Sequence, residues 1–294
     1  MPSVLVIGDV MTDIVVRPEG PIATGADTRS TIRMLPGGSG ANQAAWLAGE
    51  GATVRFAGRV GREDHARQLA ALRAQGVDAR LAVDEKLPSG QIVTLASAEE
   101  RTFLTDRGAN EALCRDDLPD TLLDGIDFVE VSGYVLFNPG PRGAVLDLLK
   151  EVKRRGIGFS VDPSSWSFLD EVGPERFLAW TEGARICFPN KAEAATLTGS
   201  GDLERQLTTL CRHHPLVVIK RGTEDAVAAE RESGRRWSVP VPVVDAIDAS
   251  GGGDAFLAGF LGAYLCGEGI EASLRRGVEL GARAATTLGG RPPA

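Results

Sequence analysis

Residues 248–256 read Asp-Ala-Ser-Gly-Gly-Gly-Asp-Ala-Phe. The segment 237–247 before them is rich in Val and Pro and extended in character, and the apolar run 255–265 after them is long enough for a buried helix. Three glycines therefore stand at a turn that opens a helix, where unpaired N–H groups and the helix dipole attract anions. Asp254 would repel a phosphate, but it suits a base that takes the proton of an attacking hydroxyl. A Gly-rich turn capped by Asp is the alternative.

The chain around this turn alternates between apolar runs typical of strands and helical stretches. This alternation predicts an α/β fold with a mainly parallel sheet, in which ligands bind at the carboxyl ends of the strands. The strand-like runs lie at 128–132, 157–161, 185–188 and 216–220, and the helical stretches at 40–48, 63–75, 141–155, 191–198, 202–212, 253–267 and 270–288.

A buried strand at 4–8 ends in Gly-Asp, and Asp13 follows four residues after Asp9. Short extended pieces lie within 14–34, and two more, 91–95 and 101–104, flank a polar turn at Glu99-Glu100. We expect these pieces to form a small antiparallel sheet outside the main core.

Composition narrows the class of protein. The chain has 294 residues, a net charge of −8 and 5% aromatic residues, which argues against a surface for nucleic acid. No apolar run approaches the ~20 residues of a membrane helix, and the start of the chain has no signal-peptide pattern. We expect a cytoplasmic protein without membrane partners. Reduced core thiols are the expected state of the scattered cysteines Cys114, Cys187, Cys211 and Cys266. His213 and His214 stand next to Pro215 at an expected helix end, and we expect them to be solvated cap residues.

A second glycine-rich stretch, 37–42, reads Gly-Gly-Ser-Gly-Ala-Asn and opens a helix. No Lys-Ser/Thr pair follows it, so it is not a Walker loop, and it does not follow the first strand as a dinucleotide fingerprint would. Glycines let a ligand approach the backbone closely, and Asn42 offers a donor and an acceptor to hydroxyl groups.

Together these stretches resemble the signatures of the ribokinase-like (PfkB) sugar kinases. Residues 37–45 resemble the N-terminal signature, 190–193 the N-x-x-E motif, and 248–256 the C-terminal signature D-T-T-G-A-G-D-x-F. The likeness covers nearly the whole chain. It implies a single domain, 1–294, with a three-layer α/β/α fold, a mainly parallel central sheet and a small β-sheet lid formed by about 12–35 and 89–105.

The resemblance implies a role for each matching residue. Asp254 matches the catalytic base, and the amides of Gly251, Gly252 and Gly253 match the anion hole for the transferred phosphoryl group. The implied acceptor contacts are Asp13, Gly37, Gly38, Asn42 and Arg107. The implied nucleotide contacts are Asn190, Lys220, Gly222, Thr223 and Gly253. The implied metal contacts are Glu193 for Mg²⁺ through water, and Asp248 and Ser250 for a monovalent cation such as K⁺.

Some residues depart from the family pattern or have a second interpretation. Ala249 and Ser250 replace two threonines and Gly252 replaces an alanine, but every amide donor is kept. Asn190 and Glu193 also fit a helix capping box. Arg107 resembles an arginine that 2-keto-3-deoxygluconate kinases place beside the sugar acid, or it pairs with an acid to close the lid.

These observations predict an ATP-dependent, Mg²⁺-requiring kinase that phosphorylates a hydroxymethyl group of a small sugar. A neutral sugar is favoured over a sugar acid, because no arginine follows Asp162, and a nucleoside ranks third, because the sequence shows no obvious aromatic pair. We also expect a homodimer formed through an apolar face of the lid that includes Ile14, Val16, Ile92 and Leu95. The non-enzyme alternative is a sensor that binds sugar or nucleotide and has lost catalysis.

Overall fold

The computed structural model describes residues 2–96, 101–248 and 250–293, and for Ala96 and Arg101 only the backbone. The turn expected at Glu99-Glu100 and the departure at Ala249 lie outside the described residues. The strands are β1 (Ser3–Ile7), β2 (Met11–Pro18), β3 (Ser30–Gly37), β4 (Thr53–Gly61), β5 (Asp78–Asp84), β6 (Gly90–Ala96), β7 (Arg101–Asp106), β8 (Phe128–Ser132), β9 (Gly158–Asp162), β10 (Ile186–Cys187), β11 (Leu216–Ile219), β12 (Ala226–Glu230) and β13 (Arg236–Val239).

The helices lie between these strands, with three short 3₁₀ segments between β7 and β8. The α helices are α1 (Ser39–Gly49), α2 (Arg62–Ala74), α3 (Tyr134–Phe137), α4 (Pro139–Arg154), α5 (Trp166–Val172), α6 (Pro174–Trp180), α7 (Lys191–Thr198), α8 (Leu203–His213), α9 (Gly252–Leu265) and α10 (Ile270–Ala285).

The large sheet has the strand order β13-β12-β11-β10-β9-β8-β1-β4-β5. Its strands are parallel from β11 to β5, whereas β12 and β13 form an antiparallel hairpin at one edge. The mainly parallel sheet predicted from the sequence is therefore confirmed. The strands β5 and β12 were not predicted from the sequence. The segment 240–247 was expected to be extended, but it forms no strand.

Side-chain alternation along the strands divides the interior into two apolar cores. In β1, Leu5 and Ile7 join the core shared with α4 to α8, while Val4 and Val6 join the core shared with α1, α2, α9 and α10. All four side chains are buried, as expected of a strand covered on both faces. The arrangement is a three-layer α/β/α fold.

The small sheet has the order β3-β2-β6-β7, and it is mixed, not antiparallel. The pairs β2/β3 and β6/β7 are antiparallel, but β2 and β6 run parallel, with Met11 opposite Gly90. Ile92 lies opposite Asp13, and both line a cavity under this sheet. Ile92 therefore faces inward, and the prediction that it lies on the outer face with Leu95 was wrong. Side chains alternate along a strand, so residues 92 and 95, an odd number of positions apart, must lie on opposite faces.

Two smaller expectations also need correction. His214 is buried at the end of α8 with Nδ1 3.3 Å from Ala184 O, and burial lowers its pKa to about 4, so it is not a solvated cap residue. The expectation of thiols in the core holds only for Cys187 among the four cysteines, since Cys114 and Cys266 are exposed and Cys211 is partly buried. Among the described residues, no helix is long and apolar enough to cross a membrane.

Candidate active site

The glycine turn stands at the start of α9, with Gly251 in the left-handed conformation (φ 72°). The helix begins at Gly252, so the amides of its first turn have no partner within the helix. A β-carbon on Gly251 would lie 2.4 Å from Gly290 O, which explains why glycine is required there. The turn thus has the backbone geometry of an anion site.

The Asp254 carboxylate accepts hydrogen bonds from three side chains of the second glycine-rich stretch and its helix. Ser39 Oγ lies 2.7 Å from Oδ1, Asn42 Nδ2 3.0 Å from Oδ2 and Gln43 Nε2 3.2 Å from Oδ1. Burial raises the pKa of Asp254 to about 7, although the bonds from Ser39 and Asn42 lower it. A carboxylate near half-ionisation at neutral pH is suited to accept a proton.

Asp254 is connected to Lys220 through Gln43 and Asp162, neither of which was predicted from the sequence to be a site residue. Gln43 Nε2 lies 3.2 Å from Asp162 Oδ2, and Lys220 Nζ lies 2.7 Å from the same oxygen. Burial acts to lower the pKa of Lys220, but Asp162 and Glu193 outweigh it and hold the pKa above its usual value. A β-carbon on Gly253 would lie 3.6 Å from Lys220 Nζ, so a charged ammonium stands directly beside the glycine turn.

A cavity of about 720 Å³ lies between the small sheet and the glycine turn. Four of the expected acceptor residues, Asp13, Gly38, Asn42 and Arg107, line it together with Asp254. Gly37 lies behind Asp13, since a β-carbon there would be 2.1 Å from Asp13 Oδ1. Burial is the main reason why the pKa of Asp13 rises to about 7.

Arg107 is paired with an acid of the protein itself. Its guanidinium lies 3.3 Å from Asp9 Oδ2 and stacks 4.2 Å above the ring of Tyr134, with 11% of the side chain exposed. The structure therefore shows the second of the two alternatives for Arg107, pairing with an acid at the end of β1. The same cavity is lined by aromatic side chains that the sequence analysis missed, namely Phe103, Tyr134, Trp166 and Phe168.

A second cavity, about 340 Å³, lies on the other side of the glycine turn. Its wall is largely apolar, with Val241, Pro242 and Ala282 among its residues. Four of the five expected nucleotide residues, Lys220, Gly222, Thr223 and Gly253, line it, whereas Asn190 does not. Gly251 and Asp254 line the first cavity, whereas Gly252 and Gly253 line the second, so the two cavities meet at the start of α9.

Asn190 and Glu193 form the capping box that was the alternative interpretation. Asn190 Oδ1 accepts from Glu193 N at 2.9 Å, and Glu193 Oε2 accepts from Asn190 N at 2.7 Å. Glu193 is buried, and burial with the nearby Asp162 raises its pKa to about 8. No group of three or more His, Cys, Asp or Glu side chains with metal-binding geometry occurs in the described part of the chain.

Asp248 and Ser250, the expected monovalent-cation residues, lie on the segment leading into the glycine turn. Asp248 Oδ1 accepts from Ser250 N at 2.9 Å, and Oδ2 accepts from Gly289 N at 3.1 Å. Asp248 thus ties the turn to the C-terminal segment, and its part in cation binding stays a prediction.

Comparisons with known proteins agree with this geometry. The family model described as pfkB family carbohydrate kinase matches residues 1–294. A fructokinase of Klebsiella pneumoniae is 30% identical over 286 residues, covering 92% of this chain and 87% of the relative. An aminoimidazole riboside kinase of Salmonella typhimurium is 30% identical over 274 residues, covering 89% and 80%. A protein from E. coli assigned as a ribokinase II, solved with ATP and Mg²⁺, has a TM-score of 0.88 at 21% identity and covers 99% of this chain and 94% of its own.

Proposed function

Because the chain belongs to the pfkB family of carbohydrate kinases, we propose that it transfers the γ-phosphoryl group of ATP to a hydroxymethyl group of a small sugar. The observation that carries the proposal is the position of Asp254, a partly buried carboxylate where the acceptor cavity meets the first turn of α9. The Ribokinase-like relative with ATP supports the choice of donor.

In the proposed reaction the acceptor hydroxyl gives its proton to Asp254 while its oxygen attacks the γ-phosphorus. The bond from phosphorus to the bridging oxygen breaks, and ADP leaves. The amides of Gly251, Gly252 and Gly253 stabilise the charge on the transferred group, as donors at a helix N-terminus do. Ser39 and Asn42 orient the carboxylate, and Asn42 and Asp13 hold the acceptor.

Lys220 supplies a fixed positive charge beside this turn. Asp162 holds the ammonium at 2.7 Å, and only 12% of the Lys220 side chain is exposed. Charge stabilisation by a preorganised cation in such a site contributes more than it would in water. The apolar second cavity would take the adenine ring against Ala282 and its neighbours, with Gly222 and Thr223 near the phosphates.

The residues present also fit Mg²⁺. This ion keeps several waters and is usually bound through one or two carboxylates plus substrate phosphates, so a site without a dense cluster of ligands is expected. Glu193, buried beside the nucleotide loop, would hold it through water. When bound, Mg²⁺ neutralises part of the phosphate charge. A K⁺ site at Asp248 and Ser250 is proposed on the family resemblance alone.

The small sheet is proposed to act as a lid and as a dimer interface. Its inner face lines the acceptor cavity through Ile92, Thr94, Phe103 and Thr105. Because side chains alternate along each strand, the residues between these point to the opposite face, and many of them are apolar. Those outer residues are Ile14, Val16, Ile32, Met34, Val93, Leu95 and Leu104. A monomeric mass at micromolar concentration by analytical ultracentrifugation would contradict the dimer.

One observation favours a second candidate acceptor, a nucleoside. Phe103 and Trp166 line the acceptor cavity and are 55% and 57% exposed, so two large aromatic surfaces are available there. Stacking of a base on an aromatic side chain contributes about 1–3 kcal/mol. A sugar acid is less favoured, because its carboxylate would have to displace Asp9 from Arg107.

The catalytic assignment is tested by Asp254→Asn. We expect turnover to fall by about 10²- to 10⁴-fold, the usual contribution of a general base, with the affinity for ATP within a few-fold of wild type. Asp245→Asn, an exposed residue near the nucleotide cavity, is the matched control and should keep full activity. Unchanged turnover in Asp254→Asn would rule out the mechanism.

The acceptor class is tested by ADP release with neutral sugars, sugar acids and nucleosides. If a nucleoside is the acceptor, Trp166→Ala should raise its KM by about 5- to 150-fold, the equivalent of the stacking energy. If a free sugar is the acceptor, the same variant should change its KM little. A wild-type protein that binds these compounds and ATP but releases no ADP would identify the sensor alternative.

A further inference from the structure

The C-terminal segment after α10, residues 286–293, forms part of the site's framework. Gly290 O accepts from Trp46 Nε1 at 2.9 Å, and a β-carbon on Gly290 would lie 2.3 Å from Asn42 Nδ2. On its other side Gly290 is in direct contact with Gly251. The segment is therefore wedged between the loop that carries the acceptor residues and the anion-binding turn.

Arg291 occupies an unusual position on this segment. It is buried, with 6% of its surface exposed, and its Nη2 donates to Gly37 O at 3.0 Å. Its Nε and Nη1 are also buried, and neither has a hydrogen-bond partner in the described part of the chain. Buried donors are normally satisfied, and a guanidinium presents its donors as a fork that matches a carboxylate. Two unused donors therefore indicate that a hydrogen-bond partner reaches Arg291 in another state of the enzyme.

Asp13 is the carboxylate on the other side of the same glycine. Its Oδ1 lies against Gly37, and it lines the acceptor cavity. No residue in the ranges that the structure describes donates a hydrogen bond to it. Besides the main effect of burial, Asp9 at the end of β1 and Asp248 before the glycine turn raise its pKa, and Arg291 lowers it. Arg67 on α2 and Asp9 in turn act on Arg291.

We propose that Arg291 is a positioning residue for the acceptor: in the acceptor-bound enzyme its Nε, which shares an edge of the guanidinium with the Nη2 that binds Gly37 O, donates to Asp13 and holds that carboxylate ionised and aimed at the acceptor hydroxyls. The inference rests on the proposed function, because it takes Asp13 as the residue that binds the acceptor. Arg291 touches neither acceptor nor nucleotide in this scheme. It acts through Asp13, and Gly37 fixes the geometry between them.

The kinetic test uses Arg291→Gln with D-ribose, D-fructose and adenosine as acceptors, and Arg275→Gln, an exposed arginine on α10, as the matched control. We expect the KM of the acceptor to rise by about 10- to 100-fold, as for a lost charge-assisted hydrogen bond, while kcat and the KM of ATP change less than threefold. The control should match wild type. Equal effects on the KM of ATP and of the acceptor would indicate a merely structural role and overturn the proposal.

The pH dependence gives a second readout. Ionised Asp13 accepts stronger hydrogen bonds than protonated Asp13, so affinity for the acceptor falls as pH falls through its pKa. Loss of the Arg291 cation raises that pKa, and Arg291→Gln should lose affinity at higher pH than wild type. Arg291→Lys keeps the charge, so its midpoint should stay near that of wild type even though its fork is lost. An unshifted midpoint in Arg291→Gln would refute the electrostatic link.

An acceptor-free measurement separates this proposal from the proposed function. The ¹³C shift of the Asp13 carboxyl, assigned by its absence in Asp13→Asn, can be titrated in wild type, Arg291→Gln and Arg291→Lys. A higher midpoint in Arg291→Gln alone supports the link even if no acceptor is phosphorylated, in which case the proposed function fails by itself. If Arg291→Gln does not fold, wild type decides: saturating acceptor should lower the midpoint of Asp13, and a midpoint that the acceptor leaves unchanged overturns the proposal.

Discussion

Replacing Asp254 with Asn should stabilise the fold, and the gain should depend on pH. Burial raises the pKa of this carboxyl to about 7 in the folded protein, from an unperturbed value of 3.8. The unfolded chain therefore ionises first as pH rises. Between these two values the stability of wild type falls with increasing pH, and above about pH 7 the loss is complete. An asparagine does not titrate, so the variant avoids this loss.

The magnitude follows from the size of the shift. About three pH units correspond to about 4 kcal/mol at full value. One side of the carboxylate faces the open acceptor cavity, where water screens its charge, so we expect about half of that. The part that falls between about pH 5.5 and pH 8 is then roughly 1–2 kcal/mol.

Urea unfolding at these two pH values measures the difference directly. The free energy of unfolding of Asp254→Asn should exceed that of wild type by a larger amount at about pH 8 than at about pH 5.5. Asp245→Asn, whose side chain is exposed, should show no such dependence. If the difference in unfolding free energy between the variant and wild type is the same at both pH values, burial does not raise the pKa of Asp254. Its assignment as the base would then lose its electrostatic support.

Three further predictions concern single residues. Gly251→Ala should lose about 1–3 kcal/mol of stability, since residue 251 has φ 72° and a β-carbon has no room beside Gly290. Gly253→Ala should keep the wild-type melting temperature, because its β-carbon meets nothing closer than Lys220 at 3.6 Å. Lys220→Met should lower kcat by about 10²-fold in steady-state assays, while Lys191→Met, an exposed lysine at the start of α7, should not; a normal kcat in Lys220→Met would exclude an electrostatic role. Buried His214 must gain a proton as acid unfolds the protein, so its contribution to stability should fall by roughly 2 kcal/mol between pH 6.5 and pH 5. In urea titrations the unfolding free energy of wild type relative to His214→Gln should therefore fall by that amount over this range.

The sequence predicted the layers of the fold and the core of the site because both depend on local patterns. Apolar runs separated by helical stretches indicate a parallel sheet, and glycines before a helix indicate an anion site wherever they occur. The strand β12 was missed because three of its five residues are alanine, which is depleted in strands. Ile92 was placed on the wrong face even though alternation along a strand would have assigned it correctly.

The contacts that tune the site could not be predicted, because they join residues far apart in the chain. Gln43 and Asp254 are 211 residues apart, and Arg291 and Gly37 are 254 apart. No local pattern marks a glutamine as a link between two acids, or an arginine near the C-terminus as a neighbour of the acceptor loop. Arg107 was ambiguous for the same reason, since its partner Asp9 lies at the end of the first strand.

The balance of charge in the cleft suggests why Gln43 and Asp162 belong to the machinery and not only to the scaffold. Asp162 and Glu193 both act on the one ammonium of Lys220, and Asp254 adds a third negative group nearby. Several carboxylates around a single buried cation are unfavourable unless each is hydrogen-bonded or partly protonated. Gln43 donates to both Asp162 and Asp254, so it holds the two acids near each other without adding charge. The carboxyl of Asp254 is therefore near half-ionisation at neutral pH. The phosphates of a bound nucleotide would oppose its ionisation, whereas the ammonium of Lys220 favours it. The ammonium of Lys220, held beside the glycine turn by Asp162, is thus expected to keep the base usable when both substrates are present.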